Sequence, residues 1–369
     1  KSTVPRIGIL PLAKTGPGIA NTEGITLRRL TKHNIALIIL FLLLAACSSH
    51  LAADIASQDS PKQTAAMEFA LALPEPNAAK AVARILSDGG NAIDGAVTAA
   101  FTLAVTFPEA GNIGGGGFLL MQMNGQAHFI DYRENAPAAA SREMYLEPDG
   151  SVNPRNSLIG VRAAGVPGTV AGLWEAHQKF GTKPWAELIE PAINLARAGF
   201  EVSPQIAAEY AENAEWLGSE VNFAEHFSGL QSGGLFKQPD LADTLERIAK
   251  EGPADFYEGK TAKLIVAKMK KEGGLLSAAD LANYRPVWRA PLVANWRGYQ
   301  VVSAPPPSSG GFAVIQLLTM RDILDDQFVG VTHNSTGYVH MIAEMEKRVF
   351  ADRAEYFGDP DFVDLPMRR

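Results

Sequence analysis

Residues 127–132 (AHFIDY) alternate between apolar and polar positions, and residues 118–123 (FLLMQM) form a nearly continuous apolar run. Between them stands Asn124-Gly125, the pair that favours a type I′ turn, so the stretch predicts a β-hairpin. Its second strand ends in Asp131-Tyr132-Arg133-Glu134, before Asn135 and Pro137 stop it. Gly114 to Gly117 lead into the hairpin, four residues without Cβ that are tolerated mainly where chain or ligand must come close. Helical spacing predicts a helix over 78–86, with Asn77 as its cap and Gly89-Gly90 as its close. Residues 94–107 predict a second helix, apolar nearly all round and therefore buried. Further helices are predicted over 169–180, 184–198 with Gly199 as the stop, 241–250 and 260–271. A short one follows, opened by a Ser277–Asp280 capping box. Residues 292–295 and 298–303 are strand-like, 311–325 are helical, and 336–356 are helical with Tyr338, Met341, Ile342 and Met345 on one face. Helices and strands so mixed, with at least one hairpin and no repeat, imply an α/β or α+β layered domain.

The start of the chain reads differently. It begins at Lys1 and its first methionine is Met67, so residues up to about 27 are not taken as structure. Arg28, Arg29, Lys32 and His33 then precede an uninterrupted apolar run at 35–46. Its length suits a signal-peptide core and falls short of the roughly 20 residues of a membrane span. The run ends in Leu44-Ala45-Ala46-Cys47, which resembles a bacterial lipobox whose cysteine is lipidated. An ordinary signal peptide cleaved after small residues is the alternative, and both readings predict export. Cys47 is the single cysteine, so no internal disulfide can form. The division expected is an N-terminal extension with a lipoprotein-type leader over 1–47, a flexible tether over 48–70, and a folded domain over 71–369.

Charge narrows the partners. The chain carries a formal net charge of −7, and because residues 1–46 hold six basic side chains and one acidic one, the rest stands at −12. Such a field argues against nucleic acid, and a small anionic substrate would need a local cation to offset it. Arg133, at a strand end, could present its guanidinium fork to a carboxylate, or it could make a surface ion pair with Asp131 or Glu134. The hydrophobic fraction of 47% is enough for a full core.

Other motifs fall away. Gly259-Lys260-Thr261 lacks the phosphate-loop glycine, having Ala254 in its place, and no predicted strand leads into it. The four glycines at 114–117 lack dinucleotide spacing. The seven histidines form neither an HExxH motif nor a metal-ligand cluster, so neither metal nor cofactor is called for. Ser308 and Ser309 stand outside any GxSxG elbow; they are expected to cap the helix after them, and could also border a substrate pocket.

Several blocks carry a resemblance. Gly89-Gly90-Asn91-Ala92-Ile93-Asp94, residues 112–118, Asp131-Tyr132-Arg133-Glu134-Asn135-Ala136-Pro137, residues 165–172, Pro305-Pro306-Pro307-Ser308-Ser309-Gly310-Gly311, Ala351-Asp352-Arg353 and Gly358-Asp359-Pro360-Asp361-Phe362 resemble, in order, the large-subunit portion of γ-glutamyltransferases, also called glutathione hydrolases. The resemblance implies an α+β fold, the αββα four-layer sandwich of N-terminal-nucleophile hydrolases, incomplete without a small subunit from the same precursor. It implies a γ-glutamyl-enzyme passed from glutathione or a related compound to water or to an amino-acid or peptide acceptor, with no cofactor. Arg133 matches the arginine that grips the α-carboxylate of the γ-glutamyl group. The location implied is periplasmic, with membrane contact through the lipid anchor only. A cephalosporin or glutaryl acylase of the same superfamily, or a non-catalytic lipid-anchored carboxylate-binding protein, is the alternative.

Thr332-His333-Asn334-Ser335 imitates the segment that opens with the family's threonine nucleophile. That nucleophile leads into a strand, whereas 336–356 is helical in period, so Asn334 or Ser335 reads as a helix cap. The catalytic threonine is therefore expected on the small subunit, and no catalytic residue is assigned in this chain.

Overall fold

The computed structural model describes residues 69–217 and 222–366. The leader over 1–47 with Cys47, and all but the last two residues of the tether over 48–70, lie outside them. Helix α1 (Pro76–Ser87) is capped by Glu75 rather than by Asn77: its two carboxylate oxygens accept the Asn77 and Ala78 amides, each at 2.9 Å. Pro76 fits the first helical turn, where its missing N–H is no loss, which moves the start ahead of Asn77. Helix α2 (Ala92–Thr106) starts two residues earlier than its apolar run, because Asn91 and Asp94 form a reciprocal capping box. It is buried on nearly every side, as its composition demands, and Phe101 meets the Trp185 ring edge-on at 5.4 Å.

The hairpin forms as expected. Strands β1 (Phe118–Met123) and β2 (Gln126–Asp131) pair antiparallel around Asn124 and Gly125, whose φ values of 51° and 77° are those a type I′ turn needs. Helices α3 (Thr169–Phe180) and α4 (Trp185–Ala198) follow, then a small antiparallel pair, β3 (Phe200–Glu201) with β4 (Leu235–Phe236). Between its strands lie α5 (Pro204–Leu217) and α6 (Phe223–Phe227), which periodicity did not single out. Helices α7 (Pro239–Glu251), α8 (Pro253–Tyr257), α9 (Lys260–Glu272) and α10 (Ala278–Asn283) complete the helical layer. Gly259-Lys260-Thr261 opens α9, with α8 rather than a strand before it.

Strand β5 (Val287–Arg289) returns to pair with β2, giving a three-stranded sheet in the order β1-β2-β5. β6 (Leu292–Trp296) and β7 (Tyr299–Ser303) form a second hairpin. Helices α11 (Gly310–Ile323) and α12 (Thr336–Tyr356) close the described chain. Ser335 caps α12, its hydroxyl accepting the Tyr338 amide at 3.3 Å, so the Thr332 segment leads into a helix as its spacing indicated. One apolar core runs from α1 and α2 through β2, α3, α4 and α7 to α9 and Tyr284.

Candidate functional site

The end of β2 is held by glycines on two sides. Gly117 and Tyr132 exchange backbone hydrogen bonds of 3.2 and 3.0 Å, and Asn135 and Val166 exchange a second pair at 3.2 and 2.8 Å. A Cβ on Gly116 would stand 2.5 Å from the Tyr132 carbonyl oxygen and 2.8 Å from the Glu134 nitrogen. A Cβ on Gly168 would collide with that same carbonyl and with the Tyr284 hydroxyl, and one on Gly172 with the Tyr132 ring. The two glycine-rich blocks serve close packing: they let two loops press onto residues 132–135. Tyr132, packed between them, has its phenol pushed up to about 12 by burial.

Arg133 is fixed through its backbone. Its N–H donates to Asp131 Oδ1 at 3.1 Å, and its carbonyl oxygen accepts from the Tyr284 hydroxyl at 2.7 Å. Tyr284 is buried and stacks on Tyr257 at 5.8 Å; Tyr257 in turn donates to the Pro167 carbonyl at 2.9 Å. The Arg133 guanidinium, by contrast, makes no ion pair among the described residues and lies 5.9 Å from the centre of the Phe118 ring. The surface pair with Asp131 does not form, because Asp131 faces inward and is taken by Arg289 Nε at 2.9 Å. Arg289 also forks onto Asp361, with Nη1 and Nη2 donating at 2.9 and 2.7 Å.

These groups line one open cavity of about 600 Å³, together with Glu134, Arg285, Ser309, Arg353 and Asp359. Four chain regions meet there: the end of β2, the segment from Tyr284 to β5, Pro307 and Ser309 ahead of α11, and the end of α12 with the turn after it. Ser309 lines the cavity; it stands at the N-cap position of α11, but its side chain makes no cap hydrogen bond. Its hydroxyl accepts from Arg353 Nε at 2.9 Å, while Ser308 accepts the Gly310 amide at 3.3 Å and is not among the lining residues. Thr332 is not among them either. Sequence reasoning missed Tyr284 and Arg289. The available signal was Asp131, a carboxylate at an inward position of β2, which needs hydrogen-bond donors or a cation from a neighbouring element.

A cavity edged by arginines and acids, where Arg133, Arg285 and Arg353 have no carboxylate partner among the described residues and Arg133 alone of the three has no hydrogen bond from its guanidinium either, suits a small carboxylate ligand. The scaffold beneath it is α+β, and its solved neighbours have the fold of N-terminal-nucleophile hydrolases. Residues 78–369 match the family Gamma-glutamyltranspeptidase, and the chain belongs to it. The glutathione hydrolase proenzyme of Pseudomonas aeruginosa is 52% identical over 301 residues, which cover 81% of this chain and 54% of that protein. That of Escherichia coli K12 is 44% identical over 77% of this chain and 50% of its own length. The gamma-glutamyltranspeptidase from Pseudomonas nitroreducens complexed with L-DON superposes with a TM-score of 0.80 at 51% identity, covering 81% of this chain and 89% of that one. The chain spans about half the length of the curated relatives it matches.

Proposed function

We propose that this chain is the large-subunit portion of a γ-glutamyltransferase that cleaves the γ-glutamyl amide of glutathione and related compounds. The observation that carries the reading is Arg133: its backbone is fastened on both sides while its guanidinium, which makes no ion pair among the described residues, lines a polar cavity. A planar fork held in this way suits bidentate capture of the substrate's α-carboxylate. Ser309 and Arg353 border the same space.

The nucleophile in this proposal is a threonine that opens the remaining half, freed by cleavage of the precursor. Its hydroxyl attacks the γ-amide while its own α-amine takes the proton. The tetrahedral intermediate collapses to a γ-glutamyl-enzyme, expelling the amine, and water or an acceptor amino acid or peptide then releases the glutamyl group. Oxyanion donors for both steps belong to that half. This chain contributes the carboxylate handle and part of the sandwich, and no cofactor is needed. The proposed setting is the periplasm, with Cys47 as the lipid anchor, the 48–70 segment as tether and 71–369 as the folded domain.

The test is to express the chain with and without the half its relatives carry, and to assay γ-glutamyl-p-nitroanilide. Turnover is expected only after the second half is present and cleaved. Turnover by this chain alone would contradict the placement of the nucleophile. Inactivity of the cleaved assembly would favour a carboxylate-binding protein without catalysis.

A further inference from the structure

A chain of polar contacts joins Arg133 to a carboxylate that lies 228 positions further along the chain. Asp361, in the turn after α12, takes the Nη1 and Nη2 atoms of Arg289 in a bidentate fork. The same guanidinium turns its Nε to Asp131 Oδ2, and the other oxygen of Asp131 accepts the Arg133 amide. The two inner members are nearly sealed from solvent, with 14% of the Arg289 and 7% of the Asp131 side chain exposed, whereas half of Asp361 faces water. Register explains the inner contact: Asp131 pairs with Val287 and Phe129 with Arg289, so Asp131 and Arg289 are diagonal neighbours on one face of the sheet. The Asp361 fork holds the Arg289 guanidinium above the ordinary arginine range, and Arg289 holds Asp361 below the ordinary carboxylate range.

We propose that Asp361 and Arg289 are positioning residues for substrate capture, acting through Asp131 to set the pose of Arg133. The proposal rests on the reading of Arg133 as a carboxylate handle. It gives the turn after α12 a role, since one buried guanidinium transmits the placement of that turn over the cavity to the handle. Loosening the outer carboxylate frees two of the three Arg289 nitrogens that are in use, and the Asp131 carboxylate then loses the rigidity that fixes the Arg133 amide. The outer member is the one to change first, because Asp361→Asn leaves the inner Arg289 and Asp131 charges balanced, whereas Arg289→Ala would strand a buried carboxylate and threaten folding.

The experiment compares Asp361→Asn with the unaltered protein in the cleaved assembly, using γ-glutamyl-p-nitroanilide and 4-aminobutyryl-p-nitroanilide, which lacks the α-carboxylate. The expected result is a KM raised about fivefold for the first substrate, kcat changed by less than about twofold, and no change for the second. In an Arg133→Ala background the effect of Asp361→Asn should vanish. Equal losses on both substrates, or an undiminished loss without Arg133, would show a merely structural role and overturn the proposal. Hydrogen exchange of the Arg133 amide gives a readout independent of turnover. It should quicken in both Asp361→Asn and Asp131→Asn, and protection unchanged in both would overturn the proposal. Absence of turnover in the unaltered assembly would count against the proposed function, and the exchange rates would still decide the role of Asp361.

Discussion

Tyr284 donates its hydroxyl hydrogen to the carbonyl oxygen of Arg133 at 2.7 Å, across 151 positions of sequence. The residue proposed to bind substrate is thus gripped by a buried phenol whose pKa is driven up, first by burial and then by the neighbouring Tyr257, Asp131, Glu134 and Tyr132. Tyr284→Phe leaves that carbonyl without its donor at little change in shape. A loss of about 1–3 kcal/mol in stability is expected, readable as a shifted urea midpoint. KM for γ-glutamyl-p-nitroanilide in the cleaved assembly should rise with it.

The glycine run makes a prediction with its own control. A Cβ at Gly116 would press on backbone atoms of Tyr132 and Glu134 at 2.5 and 2.8 Å, whereas one at Gly114 would meet nothing within 4 Å. Gly116→Ala should therefore cost about 1–3 kcal/mol and disturb Arg133, since backbone atoms cannot swing aside as a flexible side chain does. Gly114→Ala should change stability by no more than about 0.5 kcal/mol. Equal effects in thermal melts would contradict the packing account.

Asp94 gives a pH dependence. It is fully buried and accepts hydrogen bonds from the Asn91, Thr182 and Lys183 amides and the Thr182 hydroxyl. Burial pushes its carboxyl up, but the Thr182 hydroxyl and the three amides together hold it below the usual carboxylate range. The native state therefore binds fewer protons than the unfolded chain. The stabilisation is complete above the ordinary aspartate pKa of about 3.9, and it fades as pH falls through the lower native value. Asp94→Asn should cost about 2 kcal/mol at pH 7, with the gap narrowing below about pH 4. A gap of constant width in denaturation curves down to pH 3 would refute this.

Phe101 is completely buried in α2 against Trp185. Phe101→Ala should cost about 3–5 kcal/mol in a denaturant titration, because the rigid helices around it cannot collapse into the space.

Much of this was legible in the sequence, for a physical reason. The hairpin declared itself because Asn124-Gly125 and strand alternation are local, and α2 did so because its residues are apolar on every side. Short-range signals could not place Glu75 ahead of Asn77 at the α1 cap, since that cap also depends on Thr106, whose hydroxyl donates to Glu75 at 2.7 Å from across the fold. The same limit explains the site. Arg133 was found by its place at a strand end and by resemblance, but Tyr284, Arg289 and Asp361 reach it only through tertiary contacts, and neither periodicity nor spacing records those. Ser309 was assigned to a helix cap because serine before a helix is commonly one, and in the structure Arg353 claims its hydroxyl instead.

The central claim is that Arg133 holds a substrate carboxylate, and it is tested most directly by Arg133→Ala in the cleaved assembly, with kcat/KM measured for γ-glutamyl-p-nitroanilide and 4-aminobutyryl-p-nitroanilide. The account predicts a loss equivalent to about 2–5 kcal/mol on the first substrate and none on the second. Equal losses on both substrates, or no loss on either, would contradict it.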